Sequence, residues 1–185
     1  MRKLFKIVLI VLVVIVIVIV SLLAVLLLDL TSYSATGSET LSPVGTNAGR
    51  AMVVYDPGFS GAAKQDASKI AGDLQAKGYT VILAGVRSGS AGNVSGYSII
   101  VAGGPLYWGK VTSSIDGFLK TVPNSTKLGV FASTGSSSYS ASDFASLQDQ
   151  VASDTQNGRT AVRLILDGNE TSNCADLVTT LIQLS

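Results

Sequence analysis

The spacing of apolar positions divides the chain into four stretches. From Ile7 to Leu28 every residue is apolar except Ser21, so no face of this run is polar. As a helix rising roughly 1.5 Å per residue it spans about 33 Å, enough to cross a hydrocarbon core of about 30 Å. The pattern predicts one transmembrane helix, residues 7–28, behind a basic N-terminus, residues 1–6, that carries Arg2, Lys3 and Lys6. A cleaved signal peptide is the competing reading, with small residues between Ser32 and Ala35 as its cleavage site. Its apolar core is ordinarily only about 7 to 15 residues long, which favours the uncleaved anchor. Basic residues before the span keep that end cytoplasmic, and so predict a single-pass cell-membrane protein with its remaining chain on the extracytoplasmic side.

Residues 29–50 hold small polar residues, isolated leucines and no sustained apolar period, which predicts a flexible linker with a reach of about 25 Å. From residue 51 to 185 the pattern alternates. Apolar runs at Ala51 to Tyr55, Tyr79 to Ala84, Ser98 to Ala102, Lys127 to Ala132 and Thr160 to Leu166 lack polar alternation, as strands buried on both faces of a parallel sheet do. Helical stripes separate them. Ala63, Ala67, Ile70, Ala71 and Leu74 share one face, and Gly78 stands where a left-handed cap belongs. Val111, Ile115, Phe118, Leu119 and Val122 form a second stripe before Pro123. Phe144, Leu147 and Val151 form a third behind an N-cap at Ser140 or Ser142, and Cys174, Val178, Leu181 and Ile182 a fourth. The interval Gly85 to Tyr97 is barely enough for a parallel crossover and predicts a short or irregular helix. The fold class is therefore α/β: a doubly wound five-stranded parallel sheet in a three-layer sandwich, with its ligand crevice beyond the carboxyl ends of the strands.

Composition narrows the chemistry. The chain has no histidine, which removes imidazole haem and zinc ligation and Ser-His-Asp catalysis. No metal site and no catalytic residue is assigned. The formal net charge of +1 leaves no basic footprint for nucleic acid. Cys174 is the single cysteine, so no internal disulfide can form, and its place on a helical stripe makes it a core residue. Sequons at Asn93, Asn124 and Asn169 agree with an extracytoplasmic side but are frequent by chance in Ser/Thr-rich sequence.

Three loops converge on the predicted carboxyl edge: DPGFSGAA from Asp56 to Ala63, GGPLYWGK from Gly103 to Lys110, and STGSSSY from Ser133 to Tyr139. The first gathers backbone N–H groups at a helix N-terminus, where an anion is favoured. Asp56 has a commoner role there as a turn cap through its own backbone. The second brings adjacent aromatics, which serve either as a stacking platform or as packing residues.

The segment from Ala51 to Ser185 resembles the flavodoxins. That family holds FMN phosphate in a Ser/Thr-x-Thr-Gly-x-Thr turn and sandwiches the flavin ring between later loops. The resemblance makes Gly58, Phe59, Ser60, Gly61, Ala62 and Ala63 the phosphate turn. It places Pro105, Tyr107, Trp108 and Gly109 in a glycine-x-Pro-x-aromatic-x-Gly loop on one side of the ring, with Thr134, Gly135 and Tyr139 on the other. Gly58 and Ala63 stand where the family has hydroxyls, a loss of about 1.5 to 3 kcal/mol for each hydrogen bond to a charged acceptor. Backbone N–H groups, Ser60, the helix dipole and Lys64 remain. The resemblance implies a membrane-anchored FMN-binding electron carrier whose partner is a redox protein or a quinone. GGPLYWGK is also similar to flavodoxin-like quinone-linked oxidases. A cofactor-free binding or scaffolding domain is the remaining alternative.

Overall fold

The computed structural model describes residues 2–31 and 35–184; Ser32 to Ser34, most of the candidate cleavage stretch, lie outside the described residues. Helix α1 (Arg2–Thr31) contains the apolar run. Residues 7 to 20 are all exposed, and Lys6–Leu23 has a mean hydropathy of 3.5, so by length and composition α1 can cross a membrane. Its internal hydroxyl is satisfied within the helix, because Ser21 Oγ donates to the Ile17 carbonyl at 2.8 Å.

The domain follows as β1 (Ser38–Leu41), β2 (Gly49–Tyr55), α2 (Ala62–Ala76), β3 (Tyr79–Gly85), β4 (Ile99–Pro105), α3 (Ser113–Leu119), β5 (Lys127–Thr134), α4 (Ala141–Asp154), β6 (Thr160–Leu166) and α5 (Glu170–Gln183). A single 3-10 turn, Ser90–Gly92, fills the short crossover between β3 and β4. The sheet order is β1-β3-β2-β4-β5-β6, parallel throughout except for β1, which pairs antiparallel with β3. The doubly wound three-layer architecture is the one expected from the sequence. Strand β2 takes both faces into the core: Ala51, Val53 and Tyr55 pack with α2 and α5, and Met52 and Val54 pack with α3 and α4. Burial on both sides is why these strands carry no polar alternation.

Two expectations are corrected. The sheet has six strands, not five, and the sixth lies within residues 29–50, the segment read as a flexible linker. Strand β1 is short, polar and exposed apart from Leu41, so it carries no apolar signal. Backbone pairing holds it: Ser38 faces Ala84 and Leu41 faces Val81. Just before it, the Gly85 N–H donates to the Gly37 carbonyl at 2.9 Å and the Arg87 N–H to the Ala35 carbonyl at 3.1 Å. A Cβ on Gly85 would lie 2.2 Å from the Ala35 carbonyl oxygen, so only glycine lets the chain pass this close. The second stripe is also shorter than read, since Val111 and Val122 flank α3 but are still buried.

Gly85→Ala should therefore detach residues 35–41 while leaving β2 to β6 folded. Hydrogen exchange should then show roughly fivefold lost protection in β1 for each net hydrogen bond of about 1 kcal/mol, with unchanged protection in β2. Unchanged β1 exchange would contradict this packing.

Candidate functional site at the carboxyl edge of the sheet

Because β2, β4 and β5 run parallel, their following loops emerge on one edge, and β2 lies between β3 and β4 where the strand order reverses. The thirteen residues named from the sequence all lie in these loops or at the adjoining ends of strands and helices.

In the loop after β2, Gly58 has φ of 59° and sits against Pro105, whose Cγ a Cβ on Gly58 would approach at 2.8 Å. Gly61 has φ of 72° and turns the chain into α2, whose first helical bond runs from the Gln65 N–H to the Gly61 carbonyl at 3.2 Å. The N–H groups of Ala63 and Lys64 precede that bond and have no carbonyl four residues back within the helix. Ser60 Oγ accepts from the Ala62 N–H at 3.3 Å, closing a local turn just ahead of α2, whose N-cap Gly61 offers no side chain. Phe59 is 56% exposed. The methyl group of Ala63 is buried among Tyr55, Ala67 and Ile70, facing the sheet. A hydroxyl placed at Gly58 or at Ala63 would thus meet Pro105 or the core. Any anion held here is held by main chain and by Lys64, which is exposed in the first turn of α2.

Asp56 fixes this loop to the next one. It is 1% exposed; its Oδ1 accepts from the Gly58 N–H at 3.2 Å, and its Oδ2 accepts from Thr112 Oγ1 at 3.0 Å and from Ser114 Oγ. The turn-cap reading of Asp56 is correct but incomplete, since the sequence gives no sign of the partners on α3.

In the loop after β4, Tyr107 and Lys110 exchange two backbone hydrogen bonds, at 2.8 and 3.0 Å, across Trp108 and Gly109. Both central residues have positive φ, 49° and 75°, the pattern of a type I′ turn. Asn-Gly is the preferred pair there; a tryptophan in left-handed conformation costs about 1–3 kcal/mol. The turn nevertheless holds Trp108 out, 81% exposed, its ring 6.4 Å from that of the half-buried Tyr107. Gly109 lies against α4, where a Cβ would come within 2.8 Å of Ser146 Cβ.

In the loop after β5, Thr134 Oγ1 accepts from the Ser136 N–H at 3.2 Å, and Gly135 is exposed. Tyr139 is 47% exposed with its ring 5.9 Å from Phe144 of α4. Ser140 and Asp143 form a capping box that starts α4. Beneath, Ser133 Oγ donates to Asp66 Oδ2 at 2.6 Å. Asp66 is an acid on the buried face of α2, a signal readable from its place beside Ala63 and Ala67 in the apolar stripe. Burial pushes its carboxyl above the ordinary range, opposed by the Ser133 hydrogen bond and the Lys69 charge. The Cys174 thiol, wholly buried, is pushed up to about 12, first by burial and then by Asp66, which suits a core thiol.

A cavity of about 500 Å³ adjoins the first loop on its β1 side, lined by residues of that loop, by Lys64 and by residues 35–37. A recess of about 560 Å³ between α3 and α4 is lined by Lys110, Asp116 and Gln150 and lies on the flank of the sandwich.

Trp108→Asn should raise the unfolding free energy by about 1 kcal/mol through relief of the left-handed strain. A lowered midpoint in thermal unfolding would show that Trp108 stabilises the domain by packing. A group whose folded pKa is raised contributes stability below its unfolded pKa, about 3.9 for Asp, and loses it as pH rises through the folded value. Asp66→Asn, which can still accept from Ser133, should accordingly stabilise the domain at pH 7 but not near pH 3; equal effects at both would contradict it.

No protein-family model matches the chain, and no curated protein matches it. Solved structures do. Oxidised flavodoxin 2 from Bacillus cereus matches at TM-score 0.50 and 17% identity, covering 72% of this chain and 98% of its own. The flavodoxin of Streptococcus pneumoniae TIGR4 matches at TM-score 0.52 and 15% identity, over 72% and 97%. An NADH:FMN oxidoreductase in apo form matches at TM-score 0.57 and 11% identity, over 75% and 91%. At these identities the likeness is one of fold, and the fold of this chain is flavodoxin-like.

Proposed function

We propose that this chain is a membrane-anchored flavodoxin-like protein that binds FMN at the carboxyl edge of its sheet and carries electrons. The observation that carries the reading is the convergence at the strand-order reversal of a helix N-terminus, whose Ala63 and Lys64 N–H groups lie outside the helical ladder, and a strained turn that presents an aromatic pair. Ser60 to Ala63 would hold the phosphate through main chain, with Lys64 supplying positive charge. Tyr107 and Trp108 would flank the ring, with Tyr139 on its other side and Gly135 letting it lie close to main chain. A bound flavin supplies the electron chemistry; stacking, backbone hydrogen bonds and nearby charge from this chain tune it. α1 supports single-pass anchoring, and the basic residues before it support an extracytoplasmic domain. A quinone or a redox protein as electron partner suits that location.

One observation favours a second reading, a cofactor-free binding domain. Gly58 and Ala63 lack hydroxyls, and the hydroxyl of Ser60 is engaged by Ala62. Titration of the purified chain with FMN separates the two: the leading reading predicts perturbed visible absorbance and quenched flavin fluorescence. Tyr107→Ala and Trp108→Ala should each weaken FMN by about two- to tenfold, from about 0.5 to 1.5 kcal/mol of stacking, and restore fluorescence. Unaltered affinity and fluorescence in both folded variants would contradict the aromatic site.

A further inference from the structure

Among the described residues, the exposed large hydrophobics outside α1 are Val44, Phe59, Trp108 and Tyr139. Three of these four are aromatic and lie on the three loops of the carboxyl edge. Val44 lies at the opposite edge, its N–H donating at 3.1 Å to the Gln75 carbonyl near the C-terminal end of α2. The anchor joins the domain at the aromatic edge. Helix α1 ends at Thr31, and Ala35 and Gly37 are already bonded beside the carboxyl end of β3. Four Cα–Cα steps of about 3.8 Å separate Thr31 from Ala35, so the tether is at most about 15 Å long. It is attached to one particular edge of the sheet.

From this arrangement we infer that the carboxyl edge docks on the bilayer, with Phe59, Trp108 and Tyr139 seated in the lipid headgroup interface. Tryptophan and tyrosine favour that zone because it accepts an apolar ring and a polar N–H or O–H together. The strained turn under Trp108 holds the ring out at this edge, 81% exposed. Charge adds little: Lys64 and Lys110 are exposed at this edge, but Asp143 and Glu170 occupy the first turns of α4 and α5 there. The occupant is therefore the neutral interface of the membrane that holds α1, and any ligand of the crevice would be exchanged close to the lipid. The inference rests on the anchored reading of α1 and concerns the flavin-free chain, in which Trp108 and Tyr139 are not engaged by a ring.

Trp108 is the single tryptophan of the chain, which makes it the probe. The full chain, without added FMN, is reconstituted in phosphatidylcholine vesicles with ordinary or brominated acyl chains, and flotation is scored first. A chain that floats with its vesicles should show blue-shifted Trp108 emission that is roughly twofold weaker in brominated lipid, as an interfacial ring requires. Addition of anionic lipid should change this little. In Val44→Trp combined with Trp108→Phe, the probe sits on the far edge and should be insensitive to bromine. Failure to float overturns the anchor and the docking together. Flotation with water-like, unquenched Trp108 emission, or equal quenching from both edges, overturns the docking alone.

Discussion

Strand β2 is paired in parallel on both sides, with β3 and with β4, and the arrangement of the candidate site follows from that constraint. Parallel neighbours need crossovers, and crossovers leaving in opposite directions part at the carboxyl end of the central strand. The loop that carries Gly58 to Gly61 therefore emerges at the one place where the sheet opens. Asp56, the first residue after β2, then spans the gap. Its buried carboxylate takes hydrogen bonds from its own loop and from Thr112 and Ser114 at the start of α3. Removing such a carboxylate would leave several buried donors without a partner, at about 1–3 kcal/mol each. The turn at the start of α2 and the aromatic turn of Tyr107 and Trp108 are thereby held in one relative position.

The same constraint links the site to the proposed anchor. Because β1 runs antiparallel to β3, its amino end lies at the carboxyl end of β3, where the chain arrives from α1. A parallel edge strand would have brought the anchor to the opposite side. The tether is short because residues expected to be free linker are instead bonded to the sheet, through the approach that Gly85 permits.

The five parallel strands and the helical stripes were legible because burial on both faces leaves an uninterrupted apolar record, as in Ala51 to Tyr55, and burial on one face leaves a period, as in Ala63 to Leu74. Strand β1 was not legible: its residues are polar and exposed, and backbone pairing has no side-chain signature. The convergence of the loops was legible, since it follows from βα alternation, which makes the strands parallel. The contacts that shape them were not. That Gly58 rests on Pro105, that Ala63 faces the core, and that Trp108 is held with positive φ depend on residues distant in sequence or on backbone angles the residue type disfavours. The flavodoxin resemblance suggested hydroxyls missing from Gly58 and Ala63, whereas in this chain neither position has room for one.

A phosphate turn of the kind proposed, with no hydroxyl at Gly58 or Ala63 and that of Ser60 engaged by Ala62, would act through main-chain N–H groups, the dipole of α2 and Lys64, which recognise the anion rather than the ring. Parallel titration of the full chain with FMN and with riboflavin tests this most directly, because the two ligands differ only in the phosphate. The account predicts that FMN binds at least about tenfold more tightly, the equivalent of one charged hydrogen bond of roughly 1.5 kcal/mol. Equal affinities, or no binding of either ligand, would contradict it.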